Sequence, residues 1–327
     1  MLNFSEYEKY VITDIAKNEV SPGAIRTALE YAGKPIDMVM KIAHESENTI
    51  VKKTVEVVDK TVESGIKKTV WAANLISSEN DVIKEYKKRG IEITNLKEIH
   101  QLDLRVMDEV ADTYSTSNAL IVGAEGALLG LATTLAEGIP FAQVAIPAII
   151  TADVTASMTL LTRHICLLST SYGYSSTDII NMPHIISAMA PTADSSDEGY
   201  IFAKAAAINE LRRVAAFMGE NAGKEFTKDF IQKEAPQLIK LISWVAERLG
   251  IVILEKELGM LVPIAGVVLN CGLNVAFQQL NHTNAKDYFR RLYLENKYGS
   301  KPVIDAINLE KKRLLSKDIN NKDVNSA

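Results

Sequence analysis

The sequence has 327 residues, of which 47% are hydrophobic and 24% are charged. This composition excludes a wholly disordered chain and supplies enough apolar residues for one large domain or two smaller ones. The net charge of −5 argues against nucleic acid as the main partner, because phosphate binding requires a basic stripe and the sequence has none.

The N-terminal segment predicts a cytoplasmic protein. Glu6, Glu8 and Asp14 interrupt its apolar residues, whereas a secretory signal has a basic start and an unbroken apolar core. The two cysteines, Cys166 and Cys271, lie far apart in apolar surroundings. We therefore expect buried thiols rather than a disulfide or a pair of metal ligands.

Apolar residues recur at helical spacing in the N-terminal region, which we delimit as residues 1–93. Between Ile36 and Ile76 the apolar positions mostly return at three- or four-residue steps, and lysines and glutamates fill much of the remainder. Valine and threonine favour strands, but the spacing over so long a window favours a helix. A shorter helix is expected to follow and to end around Gly90.

The next region is predicted to begin with a capped helix. Thr94 or Asn95 caps it, and the Glu98 carboxylate can reach back to the free amides of the first turn. Helical periodicity then continues to about Tyr298 without a strand pattern bounded by turn residues. We therefore predict an all-α fold, with a helical core over residues 94–300 and a polar, flexible C-terminal tail over residues 301–327.

The tract Ala119–Leu168 is the most unusual part of the chain. Its 50 residues carry only four charges, at Glu125, Glu137, Asp153 and Arg163. A membrane-spanning helix needs about 20 consecutive apolar residues, but prolines interrupt the longest uncharged run of this tract. We predict that the tract forms the central glycine- and alanine-rich apolar layer of a multi-helix bundle. Peripheral membrane contact and an integral membrane protein remain the alternatives.

The helix expected to begin near Pro147 is predicted to have three different faces. Proline suits a first helical turn, where its missing N–H costs nothing. The faces are an apolar one at Ile150, Val154, Met158, Leu161, Ile165 and Leu168, a threonine stripe at Thr151, Thr155, Thr159 and Thr162, and a third one at Asp153, Ser157, Leu160 and His164. We expect this helix to end at Gly173 and to be enclosed by other helices or to line a cavity.

Six polar residues are candidates for a pocket or a buried polar cluster: Glu125, Asp153, Arg163, His164, Asn270 and Asn274. Asp153 and His164 share a helix face but lie about 16 Å apart along the axis, so each needs a partner from another helix. Two interpretations stay open. The candidates form structural bridges between helices, or they include a desolvated carboxylate in a ligand pocket. The patterns assign no catalytic residue.

The sequence lacks the usual catalytic, metal and cofactor motifs. The segment His44–Asn48 begins like a zinc-protease signature but has Asn48 where the second histidine ligand is required. The glycines at Gly123, Gly126 and Gly130 permit close helix packing and do not follow a strand, as a dinucleotide site requires. We therefore expect no metal and no cofactor, and we favour a non-enzyme over an enzyme.

Several short motifs, taken in order, resemble the EcsC family of bacterial proteins over about Leu96–Gly299. The motifs are Ala124-Glu125-Gly126-Ala127 with Gly130, Asp153, Arg163 through Tyr172-Gly173-Tyr174, Pro263-Ile264-Ala265-Gly266, Asn274, Ala285, Phe289-Arg290-Arg291-Leu292 and Lys297-Tyr298-Gly299. Their order and spacing carry the resemblance more than any one of them.

The resemblance implies a bacterial cytoplasmic protein, free or peripheral to the inner face of the membrane. The family is named for a gene that neighbours an ABC transporter, and no biochemical activity is firmly attached to it. We therefore expect a non-enzymatic accessory or adaptor protein, associated with a membrane transporter or a lipid surface, and we leave a homo-oligomer open. The alternatives are a small-molecule or lipid binder, possibly enzymatic, with a pocket in the helical core, and an effector that inserts into membranes.

Overall fold

The computed structural model describes residues 3–20, 49–72, 79–115, 142–190, 205–210, 212–213, 216, 233, 235–260 and 266–325. Within these ranges every regular element is helical and no strand occurs, which confirms the all-α prediction. The helices used below are α1 (Glu6–Val20), α2 (Thr49–Ala72), α3 (Glu79–Lys88), α4 (residues 104–115), α5 (Ala142–Ser171), α6 (Met182–Ala188), α7 (Pro236–Met260), α8 (Gly266–Tyr298) and α9 (Ser300–Asn325). Short 3₁₀ turns span Leu96–Gln101 and Ile179–Asn181.

Helix α5 lies at the centre of the described structure and packs against α2, α3, α6 and α8. Its predicted apolar face is confirmed, because the side chains from Val154 to Leu168 on that face are buried. A Cβ added at Gly65 of α2 would lie 3.0 Å from the Cε of Met158, so the absence of a side chain there lets α2 and α5 approach closely. Each fully buried Val, Leu, Ile or Met side chain in this layer contributes about 1.5–3 kcal/mol.

Only the C-terminal end of α5 agrees with the prediction from the sequence. The helix stops at Ser171, and Gly173 has the positive φ of +87° that terminates it, as predicted. Its start is five residues earlier than expected, at Ala142, so Pro147 lies inside the helix. The proline still leaves one backbone carbonyl without its helical donor, but the preceding turn remains helical.

The threonine stripe of α5 differs from the prediction of an enclosed helix. Thr151, Thr155 and Thr159 are exposed, whereas Thr162 is buried. The hydroxyl of Thr155 donates to the carbonyl of Thr151 at 2.7 Å, and that of Thr159 donates to the carbonyl of Thr155 at 2.8 Å. Because these hydroxyls are satisfied by the helix itself, the stripe needs no polar neighbour.

The C-terminal residues form a helix where the sequence predicted a flexible tail. Helix α9 packs against α1 and α8, with Val303 and Ile307 buried. Lys311 forms an ion pair with Glu19 of α1 at 2.8 Å. The composition of residues 301–327 is polar, but its few apolar residues recur at helical spacing and supply one buried face. The boundary between the regions 1–93 and 94–300 stays a prediction.

A break in the helix separates the first 3₁₀ turn from α4, which carries the buried carboxylate of Asp108. Asn95 caps the turn by accepting a hydrogen bond from the Lys97 amide at 2.9 Å, as predicted. The single helix expected from this point is instead interrupted at Leu102. Asp103 then starts α4, since its carboxylate accepts a hydrogen bond from the Arg105 amide at 2.8 Å.

None of the helices that the structure describes is long and apolar enough to cross a membrane.

Candidate functional site: two buried polar clusters between α4, α5 and α8

A cluster of charged side chains joins four segments that are far apart in the sequence. Arg290 of α8 donates from Nε to the Asp108 carboxylate of α4 at 2.9 Å and from Nη1 to Asp14 of α1 at 2.7 Å. Tyr172, just after α5, donates its hydroxyl proton to Asp108 at 2.5 Å, and Tyr7 of α1 donates to the same carboxylate at 2.5 Å. We name this group, together with Asp287, the Arg290 cluster.

The charges of the Arg290 cluster are buried but compensated. Asp108 is 1% exposed and Arg290 is 3% exposed. Burial opposes the cationic form of Arg290, but the Asp108 carboxylate outweighs it and raises the pKa of the guanidinium. Burial and the nearby Asp108 raise the pKa of Tyr172, so its hydroxyl stays protonated and remains a donor. The cluster therefore holds its helices through charge-assisted hydrogen bonds.

Asp287 is the least compensated carboxylate of the Arg290 cluster. It accepts hydrogen bonds from the Asn18 amide at 2.7 Å and from Arg290 at 3.3 Å. Burial, together with the Asp14 carboxylate, outweighs these bonds and raises the pKa of Asp287 to about 6. Asp287 therefore takes up a proton only slightly below neutral pH.

A second polar cluster lies on adjacent turns of the same helices. The Nε2 atom of His164 on α5 lies 3.1 Å from the Nδ1 atom of His282 on α8. The other ring nitrogen of His282 lies 3.4 Å from the Asp112 carboxylate of α4, which also accepts a hydrogen bond from Lys286 at 2.5 Å. We name His164 and His282 the histidine pair.

The histidine pair connects the core to the surface. His164 is completely buried and His282 is 5% exposed, whereas the Asp112 side chain is half exposed. Burial, and then the neighbouring His282, lower the pKa of His164 to about 3, so this ring is neutral in the folded protein. Burial opposes the ionisation of Asp112, but hydrogen bonds from His282 and Lys286 lower its pKa to about 2.

Helical spacing explains why both clusters occupy one seam. Asp108 and Asp112 are four residues apart on α4, and His282, Lys286 and Arg290 are spaced by four residues on α8. Residues four apart project from the same side of a helix. The two rows face each other, so Asp112 lies beside His282 and Lys286, and Asp108 lies beside Arg290.

The Tyr172-Gly173-Tyr174 segment brings the end of α5 into the same region. The ring of Tyr174 lies 4.9 Å from that of His100, and its hydroxyl oxygen accepts a hydrogen bond from Asn296 at 2.9 Å. A Cβ at Gly173 would lie 2.8 Å from the Cε1 of His100. Glycine is therefore required here both by the positive φ and by the imidazole packed against it.

Of the six predicted residues, the structure describes the side chains of Asp153, Arg163 and His164. Asp153 and His164 are buried, whereas Arg163 is exposed. Asp153 and Arg163 are ten residues apart on α5, about 15 Å along the axis, and cannot pair directly. Glu125 lies outside the described residues, and the side chains of Asn270 and Asn274 lie outside them as well. The role of these residues stays a prediction.

Of the residues that form the two clusters, only His164 is among the six candidates that the sequence suggested. His282 has no companion at metal-ligand spacing in its own segment, and its partner His164 is 118 positions away. Asp108 and Arg290 are separated by 182 positions. The usable signal was the four-residue spacing of acids on one helix and of bases on another, which predicts complementary faces without stating that they meet.

The clusters are suited to binding protons and to joining helices. Among the described residues, no group of three His, Cys, Asp or Glu side chains is placed to hold a metal ion. Cys166 is buried, as predicted, and burial raises the pKa of its thiol to about 12, which makes it a poor nucleophile.

A family model described as the EcsC protein family matches residues 28–294. The chain belongs to the EcsC family. The match includes Asp108 and Asp112 of α4, the histidine pair and Arg290, whereas α1 and α9 lie outside it. This EcsC-family protein therefore completes its Arg290 cluster with Tyr7 and Asp14, from a helix beyond the matched range. No match is found among curated proteins or among solved structures.

Proposed function

We propose that this EcsC-family protein is a non-enzymatic accessory protein that works at the surface of a membrane rich in anionic lipid. The observation that carries the proposal is the outer face of α9. Leu309 is 71% exposed and Leu315 is 49% exposed, and together with Tyr10 of α1 they are the large exposed hydrophobic side chains of the described residues. Lys312 lies between the two leucines.

The positions of these residues suit contact with a lipid surface. At 100° per residue, Leu309, Lys312 and Leu315 span an arc of about 120° with the lysine in its middle. Lys312 has no ion-pair partner among the described residues, whereas the neighbouring Arg313 is held by Glu310. Leucines can enter the headgroup region while the long lysine side chain reaches the phosphates beside them. Each basic residue near such a surface contributes about 1 kcal/mol.

The Arg290 cluster supports an accessory role rather than a reaction. Its buried charges are engaged with one another, and they fasten α1 to α4, α5 and α8. Because α9 packs on α1 and α8, the same fastening holds the outer face of α9 in a fixed position. The association with a membrane transport system rests on the family resemblance alone and stays a prediction.

Flotation with vesicles tests this function. Full-length protein is mixed with vesicles of phosphatidylethanolamine, with and without phosphatidylglycerol, and centrifuged through a density gradient. We expect the wild type to float only with the anionic lipid, and Lys312→Glu or the double variant Leu309→Ser/Leu315→Ser to float about tenfold less. Lys87→Glu on α3 is the matched control for the charge change, since Lys87 is exposed and, like Lys312, has no ion-pair partner among the described residues. A wild type that stays in the soluble fraction with anionic vesicles contradicts the proposal.

A further inference from the structure

We propose that His164 and His282 form a proton-sensing joint between α5 and α8, which binds one proton while the helices stay in contact and a second only when they separate. The inference is independent of the membrane-surface function, because it rests on the interior of the molecule. The proton is the ligand of this joint, which lies between α5 and α8 beside the Arg290 cluster.

The hydrogen-bond partners define the neutral form of the joint. The Nε2 atom of His282 faces the Asp112 carboxylate, which can only accept, so this nitrogen carries the hydrogen. The Nδ1 atom of His282 therefore has a lone pair and accepts a hydrogen bond from Nε2 of His164 across 3.1 Å. In the neutral joint both rings carry their hydrogen on Nε2.

Binding of one proton is accommodated by a change of tautomer. The added proton charges His282, whose ring faces the Asp112 carboxylate, rather than the fully buried His164. The Nδ1 atom of His282 then carries a hydrogen and must donate to Nε2 of His164. His164 stays neutral by carrying its single hydrogen on Nδ1 instead of Nε2. One proton is gained, and the hydrogen bond between the rings is kept with its direction reversed.

Binding of a second proton is not compatible with the observed contact. It would place two N–H groups head to head across 3.1 Å and two positive charges in a buried site. Among the described residues, the carboxylates of α4 that face this part of α8 already have cationic partners. Asp112 already accepts a hydrogen bond from the Lys286 ammonium, and one turn further Asp108 is engaged with Arg290. The second proton therefore requires α5 and α8 to move apart.

NMR of ¹⁵N-labelled imidazole groups in the full-length protein tests the proposal directly. We expect His282 to become charged in a single step on acidification and His164 to change tautomer from Nε2–H to Nδ1–H in the same step. Assignment uses His164→Gln and His282→Gln. The proposal is contradicted if His164 keeps its tautomer while His282 gains a proton. It is also contradicted if the two rings gain protons in independent steps.

Two variants test the roles of the neighbouring charges. Asp112→Asn removes the carboxylate that stabilises the charged ring and is expected to lower the proton affinity of the joint about tenfold. Lys286→Met removes a competing cation and is expected to raise it about fivefold. Lys87→Met, on α3, is the matched control and should leave the affinity unchanged. Equal titrations for Asp112→Asn and the wild type contradict the proposal.

A metal titration separates the joint from a metal site. We expect that zinc alone, added to the wild type at neutral pH, leaves the imidazole resonances of His164 and His282 unshifted. If zinc shifts both sets and His164→Gln abolishes the effect, the facing nitrogens bind a metal and do not share a proton, and the proposal is overturned.

Discussion

The Arg290 cluster and the histidine pair lie on neighbouring turns of the same seam, but their buried polar groups are stabilised in different ways. In the Arg290 cluster an arginine and its carboxylates are buried as charges, and Asp108 accepts hydrogen bonds from the guanidinium and from two tyrosine hydroxyls. In the histidine pair the buried rings meet through one hydrogen bond, and the adjacent charge of Asp112 is half exposed. A buried charge must have partners on all its polar atoms, whereas a neutral ring needs only a donor and an acceptor.

The difference predicts opposite responses to pH. The pKa of His164 is lowered from 6.5 to about 3, so the unfolded chain binds more protons than the folded protein between these values. Its contribution to stability is complete above pH 6.5 and is lost as the pH falls. The pKa of Asp287 is raised from 3.8 to about 6, so the folded protein binds more protons there. Its contribution grows as the pH falls from about 6 to 3.8.

The largest effect is expected from Arg290→Met. The variant leaves Asp108 buried without its cation, and breaking such a pair costs about 3–5 kcal/mol. Urea unfolding at neutral pH measures the change in the free energy of unfolding. Arg291→Met is the control on the same helix, since its ion pair with Glu295 is partly exposed and should contribute about 1 kcal/mol or less. Equal losses for the two variants would remove the distinction between the buried and the outer arginine.

The next largest effect is expected in acid, where the lowered pKa of His164 reduces the free energy of unfolding of the wild type. Between pH 6.5 and pH 5 this histidine should destabilise the fold by about 2 kcal/mol relative to His164→Gln, which does not titrate. Urea unfolding of both proteins across this range gives the two slopes. His100→Gln is the comparison, because burial also lowers the pKa of the more exposed His100, so its effect should have the same sign and be smaller. Parallel curves for the wild type and His164→Gln would show that the buried ring is protonated as readily as in the unfolded chain.

A smaller effect is expected for the tyrosines that donate to Asp108. Tyr172→Phe should cost about 2 kcal/mol, because it removes a hydrogen bond to a buried carboxylate. Tyr7→Phe removes a similar bond but from a partly exposed ring, so water can replace the hydroxyl and the cost should be about 1 kcal/mol. Thermal unfolding of the two variants under one condition gives the order. A larger loss of stability for Tyr7→Phe than for Tyr172→Phe would contradict the prediction that the buried hydrogen bond contributes more.

The smallest effect has the opposite sign. Asp287→Asn should stabilise the fold by about 1 kcal/mol at pH 7.5, since an uncharged side chain avoids the burial that disfavours the carboxylate, and the gain should disappear below about pH 5. Asp305→Asn, at an exposed position of α9, is the control and should change little. Urea unfolding at the two pH values measures both. A gain that persists in acid would mean that the carboxylate charge is not its cause.

Part of the candidate site could be read from the sequence. The apolar face of α5, its end at Gly173 and the burial of Cys166 follow from local periodicity and from glycine conformation, and the structure confirms them. The same reasoning placed the start of α5 at Pro147, because it treated a proline as a first-turn residue. It also assigned α9 to a tail, because polar composition outweighed two buried positions, Val303 and Ile307.

The helical class of the fold, the family and the apolar face of α5 follow from the amino-acid sequence, because they depend on residues within a few turns of one another. Which helix faces meet depends on the tertiary structure. The contacts of His164 with His282 and of Asp108 with Arg290 join residues more than a hundred positions apart. No local pattern records such a pairing, since the free energy of bringing two helix faces together depends on the packing of all the helices around them.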